Sequence, residues 1–223
     1  MSDELTILSK IKEVVLDINP QDVLNDARAY GLKVTTLKDL MEQQHNYVFI
    51  EKLMGKYATL AASYCALSGA TSGVGGVFTT MTLAGVDIAN MAAQLYRLSQ
   101  KMAILNGFDI ENMIHEEKAH LIYLQALGFD AVAQATIRTQ VAKAAAVNVS
   151  KPGPAANVTI RLVMEVAKLL GGPLSKAQAA KLVPLIGAII GGGVNYIYAK
   201  HVSEKMISEY KSDYFDRWQA NSR

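Results

Sequence analysis

A single cysteine, Cys65, stands in the 223 residues, so no internal disulfide can form. A disulfide-stapled extracellular scaffold is thereby excluded, and a reducing compartment fits. Proline is scarce, at five residues, and strand-like alternation of apolar and polar positions is rare; both favour helices. The opening Met1-Ser2-Asp3-Glu4 is acidic, whereas a secretory leader needs a basic start and an apolar run, so none is expected. Charge is thin, 19% of residues against 51% hydrophobic, near the upper edge for an ordinary soluble protein. The length suits one domain with a sizeable core.

Reactive constellations are also missing. Ser68-Gly69-Ala70-Thr71-Ser72-Gly73-Val74-Gly75-Gly76 has the glycines of a phosphate loop but neither its Gly-Lys-Ser/Thr ending nor a nearby lysine, so it reads as a helix break. Glu117-Lys118-Ala119-His120 is half of a carboxylate-bridged di-metal motif. The other half would need a second Glu-x-x-His and two further glutamates, and no second copy exists, so no metal is expected. No nucleophile motif joins the serines, histidines and aspartates, and Cys65 sits in an apolar stretch without a basic neighbour in sequence. With no converging acid, base or nucleophile, and no cofactor motif, an enzyme is not expected.

What the chain does have is helix punctuation. Asn19-Pro20-Gln21-Asp22 places a capping Asn before Pro at the first helical position, after an amphipathic stretch over 3–17. Thr36 with Asp39 opens a short helix, and a long one is expected from about His45 to Gly69. Asn106-Gly107-Phe108-Asp109 and Leu127-Gly128-Phe129-Asp130 share one device: a left-handed Gly ends a helix, Phe packs back, and Asp caps the next. These predict helices over about 86–106, 110–127 and 130–148. Past the Lys151-Pro152-Gly153-Pro154 linker another follows, with Arg161, Glu165 and Lys168 on its charged face. Gly171-Gly172-Pro173 stops it, Ser175 to Gln178 caps the next, and a final helix reaches Trp218.

Two uncharged runs decide the class: residues 57–86 and 182–199. Each is long enough to span a bilayer, but both are rich in small or hydroxylated residues and broken by Gly or Pro, so buried core helices are favoured over inserted hairpins. The small-residue spacing, as in Gly187-Ala188-Ile189-Ile190-Gly191, permits close helix packing, or leaves room for an acyl chain beneath an apolar wall. On the second reading Gly73 and Gly76 make the space, Arg97 or Lys101 one turn on anchors a carboxylate, and Asn195 supplies a buried polar contact. Asp87 opens the helix after the first run, where it serves as a cap or a ligand contact. Net charge is only +2, yet residues 131–200 hold eight Lys or Arg against Glu165. Those bases are spaced singly among Ala and Val, which excludes a nucleic-acid footprint and leaves a solvated face or attraction to anionic lipid.

The order of these features resembles the EcsC family of bacterial proteins. It runs from the break at 70–76 through Asp87, Arg97 and Asn106-Gly107-Phe108-Asp109 to Pro184-Leu185-Ile186-Gly187 and on to Gly193-Val194-Asn195-Tyr196. The chain departs from the family in having Ile88 where proline is frequent and Asn106 where tyrosine is. The resemblance covers roughly residues 55–210. It implies an all-helical fold with suggested links to an ABC transporter and to hydrophobic ligands, and brings no catalytic residues. The expectation is therefore one all-α, multi-helix bundle with glycine-rich buried helices, made of N-terminal helices over 1–45 and an EcsC-like core over 46–218. It binds a fatty acid or other lipid in an apolar groove without catalysis, in the cytoplasm or peripherally at the inner face of the membrane. The alternative is a module that docks on an anionic membrane or on the transporter and stores no ligand.

Overall fold

A computed structural model describes residues 14–15, 18–71, 77–148, 158–171 and 192–221. Local capping explains where its helices begin. Asn19 Oδ1 accepts the Gln21 amide at 2.9 Å and Pro20 occupies the first turn of α1, Pro20–Ala29. In α2, Leu37–Met41, Thr36 and Asp39 close a reciprocal capping box. The Asp39 carboxylate accepts from the backbone and side chain of Thr35 and from the Thr36 amide, which hold it well below the usual carboxylate range.

After a 3-10 turn at Gln44–Asn46 come α3, Tyr47–Thr71, and α4, Val77–Leu105. These are followed by α5, Met113–Ala126, α6, Ala131–Asn148, α7, Val158–Gly171, and α8, Gly192–Asn221. Among the described residues the fold is all helix, in one bundle-like domain. Positive-φ glycines end α1, α4 and α5: Gly31, Gly107 and Gly128. At Gly107 the Phe108 amide reaches the Ala103 carbonyl and the Gly107 amide that of Ile104, the double closure expected of Gly-Phe-Asp.

Two expected helix starts are corrected. Asp109 does not cap α5; its carboxylate turns back to the Glu111 amide at 3.0 Å, and Asn112 caps instead, from the Ile114 and His115 amides. The shorter Asx turn satisfies Asp109 first and delays the helix by three residues. Asp87 does not open a helix either; it lies ten residues inside α4. The first charge after an apolar run marks no boundary here: Val77 to Val86 is already helical, since helix geometry requires no charge.

The centre is α4, on which α1, α3, α5, α7 and α8 all pack, while α3 and α8 form the most extensive helix pair. Accordingly α4 is buried nearly all round from Ala89 to Leu105. The uncharged run enters this core through α3, where Ala58, Ala61, Ala62 and Cys65 are buried and leave room for close neighbours. Among the described residues no helix is long and apolar enough to cross a membrane. The part of the second run before α8 lies outside them.

A polar clamp joins the chain's last helix to the end of α4. Arg217 donates from Nη2 to the Asn106 carbonyl at 2.8 Å and from Nε to Asp213 at 2.6 Å. Its guanidinium also lies 4.4 Å from the Phe108 ring centre, and Lys118 pairs with the other Asp213 oxygen. The Asn106 side chain in turn accepts from the Tyr47 hydroxyl at 2.8 Å and donates to the Met102 carbonyl at 2.7 Å. A cation at a helix C-terminus meets both its unpaired carbonyls and its dipole.

Candidate ligand cleft

Arg97 and Lys101 stand one turn apart on α4 and therefore share a face. That face looks onto α3, whose Tyr57, Leu60, Ala61 and Tyr64 repeat at helical spacing. Between the two helices lies a cleft of about 280 Å³, completed by Gln94 and Leu98. One wall is thus largely apolar and aromatic, the other basic.

Lys101 is half-buried, with Nζ 4.8 Å from the Tyr57 ring centre. Among the described residues it makes no hydrogen bond or ion pair. Its pKa is lowered, first by burial and then by the Arg97 charge, with Asp26 and Asp22 acting weakly the other way. Asp26 is occupied: the Tyr57 hydroxyl donates to it at 2.5 Å. Arg97 Nη1 donates to the Val14 carbonyl at 3.3 Å, tying the N-terminal segment to the cleft. Chemically, the site offers positive charge that an anion would stabilise, beside surface that an aliphatic chain would cover.

Of the residues singled out in the sequence, the structure brings Arg97 and Lys101 together. Asn195 is half-buried on α8 and does not line this cleft. Gly73 and Gly76 lie outside the described residues, as does the side chain of Asp87. Sequence reasoning missed Tyr57, Tyr64 and Asp26. The i, i+4, i+7 series of Tyr57, Ala61 and Tyr64 was a signal for one face of α3, but nothing local says that this face meets Arg97.

The other candidate chemistry resolves into packing. Cys65 is buried and its thiol is pushed up to about 12 by that burial, which keeps it protonated. Glu117 pairs with Arg138 and His120 approaches Tyr96, so the Glu-x-x-His residues face different partners. No group of His, Cys, Asp and Glu among the described residues could hold a metal ion. In the basic segment Arg138 is paired with Glu117, and Arg161 and Lys168 with Glu165, so part of its charge is already neutralised.

Fold and cleft together define an all-helical domain whose central helix carries two neighbouring cations beside an apolar wall. The model of the EcsC protein family matches residues 6–212, and the chain belongs to that family. The match begins well before residue 46, so the N-terminal helices fall within it. No curated protein and no solved structure matches the chain.

Proposed function

We propose that this protein binds an amphiphile with an anionic head group, a fatty acid or similar lipid, in the α3–α4 cleft and does no chemistry on it. The observation that carries this reading is Lys101: half-buried, its pKa lowered by that burial and then by Arg97, and facing Tyr57 with no acid in contact among the described residues. A bound carboxylate would relieve the repulsion between the two cations and complete a charge-assisted contact. Its chain would lie against Leu60, Tyr64 and Leu98, of which Leu60 and Tyr64 are otherwise exposed. The source of such a ligand is the anionic inner face of a membrane, touched peripherally from the cytoplasm, and an ABC transporter is the partner that the family link suggests. Docking on a membrane through the 131–200 segment alone is the weaker reading, because three of its bases are spent in ion pairs.

The test is titration of the full chain with a fluorescent fatty acid, with Lys101→Met and Arg97→Met beside the unmutated protein. A charge-assisted hydrogen bond contributes about 1.5–3 kcal/mol, so Lys101→Met should weaken binding roughly tenfold or more. Absence of binding by the unmutated protein, or affinity left unchanged by both substitutions, sinks the proposal.

A further inference from the structure

A second space lies on the opposite side of α4, between α5 and α6 with α7 at its side, and its volume is about 570 Å³. That is within the range of about 300–1,000 Å³ seen for small-molecule sites. Its apolar lining includes Leu121 and Leu124 from α5, Val141 from α6 and Leu162 from α7. The space arises because α6 packs chiefly on α7 and presents Ala135, Thr139 and Ala142 to the gap, side chains too small to fill it. Of the described α6 side chains only Ile137 is fully buried. Protein interiors are otherwise close-packed, and a helix with so little buried among its described side chains gains from whatever fills such a gap.

Polar groups occur at two levels. At the rim Glu117 and Arg138 neutralise one another, so the mouth favours no ion. Deeper, His120 lines the space with a ring that burial keeps neutral down to about pH 4. Its Nε2 is engaged by the Tyr96 hydroxyl at 2.9 Å, with Glu116 at 3.6 Å and Thr159 beyond it, donating to Glu116 at 3.4 Å. Among the described residues Nδ1 has no hydrogen bond. Whichever way the Tyr96–His120 proton points, Nδ1 offers one neutral hydrogen bond, as donor or as acceptor. A hydroxyl group complements either role.

We infer that the α5–α6 groove is a second binding site, for an uncharged aliphatic molecule bearing a hydroxyl group that meets His120 Nδ1. The site differs in ligand chemistry from the α3–α4 cleft and does not depend on it.

Decan-1-ol is the probe, titrated calorimetrically into the full chain. Thr139→Trp places a bulky ring in the groove from an exposed position, so the fold should survive, which circular dichroism checks. Binding should then be lost. His120→Phe keeps the ring but removes the hydrogen bond, and affinity should fall about three- to tenfold, the worth of one neutral hydrogen bond. Lys101→Met should leave decan-1-ol binding unchanged. No binding by the unmutated protein overturns the inference, and so does binding that survives Thr139→Trp. Loss of the alcohol in Lys101→Met would place it in the α3–α4 cleft and overturn the second site while leaving the first.

Discussion

Three glycines occupy three different situations, and an alanine at each should read them out. At Gly107 the backbone has φ +78°, and an added Cβ would stand 2.5 Å from Met41 Cγ and 2.7 Å from its Sδ. Met41 cannot simply swing aside, because its sulfur accepts from Arg217 Nη1 at 2.9 Å within the clamp on Asn106. Left-handed strain of about 1–2 kcal/mol adds to overpacking of about 1–3 kcal/mol, so Gly107→Ala should cost roughly 2–5 kcal/mol. Gly31 shares the left-handed backbone, at φ +94°, but nothing lies within 4 Å of its Cβ position. Gly31→Ala should therefore cost only the strain, about 1–2 kcal/mol. Gly55 is helical and equally open, so Gly55→Ala should stabilise by up to about 1 kcal/mol. Urea unfolding of the three variants, followed by helical circular dichroism, measures the series. Equal losses at Gly107 and Gly31, or a clear loss at Gly55, would refute the assignment of these environments.

Acid should destabilise the fold through His120. The fold favours the neutral ring, so between the ordinary value of 6.5 and the folded value of about 4 the unfolded chain binds more protons. Stability present above pH 6.5 is lost as pH falls through that window, by up to about 3 kcal/mol. Glu116, whose pKa burial raises, works in the opposite sense. The readout is therefore the difference in urea midpoint between pH 7 and pH 4.5, which should shrink in His120→Gln; an unchanged difference contradicts the burial of the ring. Arg217→Ala should cost about 2–3 kcal/mol, since it unpairs one oxygen of the buried Asp213 and the Asn106 carbonyl just past α4. Arg217→Lys should recover little of it, because one ammonium cannot serve both acceptors and the Phe108 face, and full recovery by lysine in thermal unfolding would argue against the clamp.

The legible parts of this fold were those governed by neighbours in sequence. Asn19-Pro20, Thr36 with Asp39 and the two Gly-Phe-Asp segments announce helix ends through hydrogen bonds that close within a few residues, and most formed where expected. Arg97 and Lys101 could be placed on one face by their spacing alone. Asp87 lies inside α4 and not at its start because charge patterning and helix geometry are independent, and an uncharged helix shows no start. The rest depends on contacts distant in sequence. The Tyr57 hydroxyl meets Asp26 across 31 positions and Arg217 meets Asn106 across 111, so neither the aromatic wall of the cleft nor the clamp had a local signal. The α5–α6 groove was equally hidden, since it depends on how far two successive helices diverge.

The central claim, an anionic amphiphile held between α3 and α4, is tested most directly by photo-cross-linking. A fatty acid bearing a diazirine on its chain would be irradiated with the full-length protein and the labelled peptides identified by mass spectrometry. The account predicts labels within residues 57–64 and 94–101, displaced by unlabelled fatty acid and weakened in Lys101→Met. Labels confined to other helices, or none displaced by competitor, would contradict it.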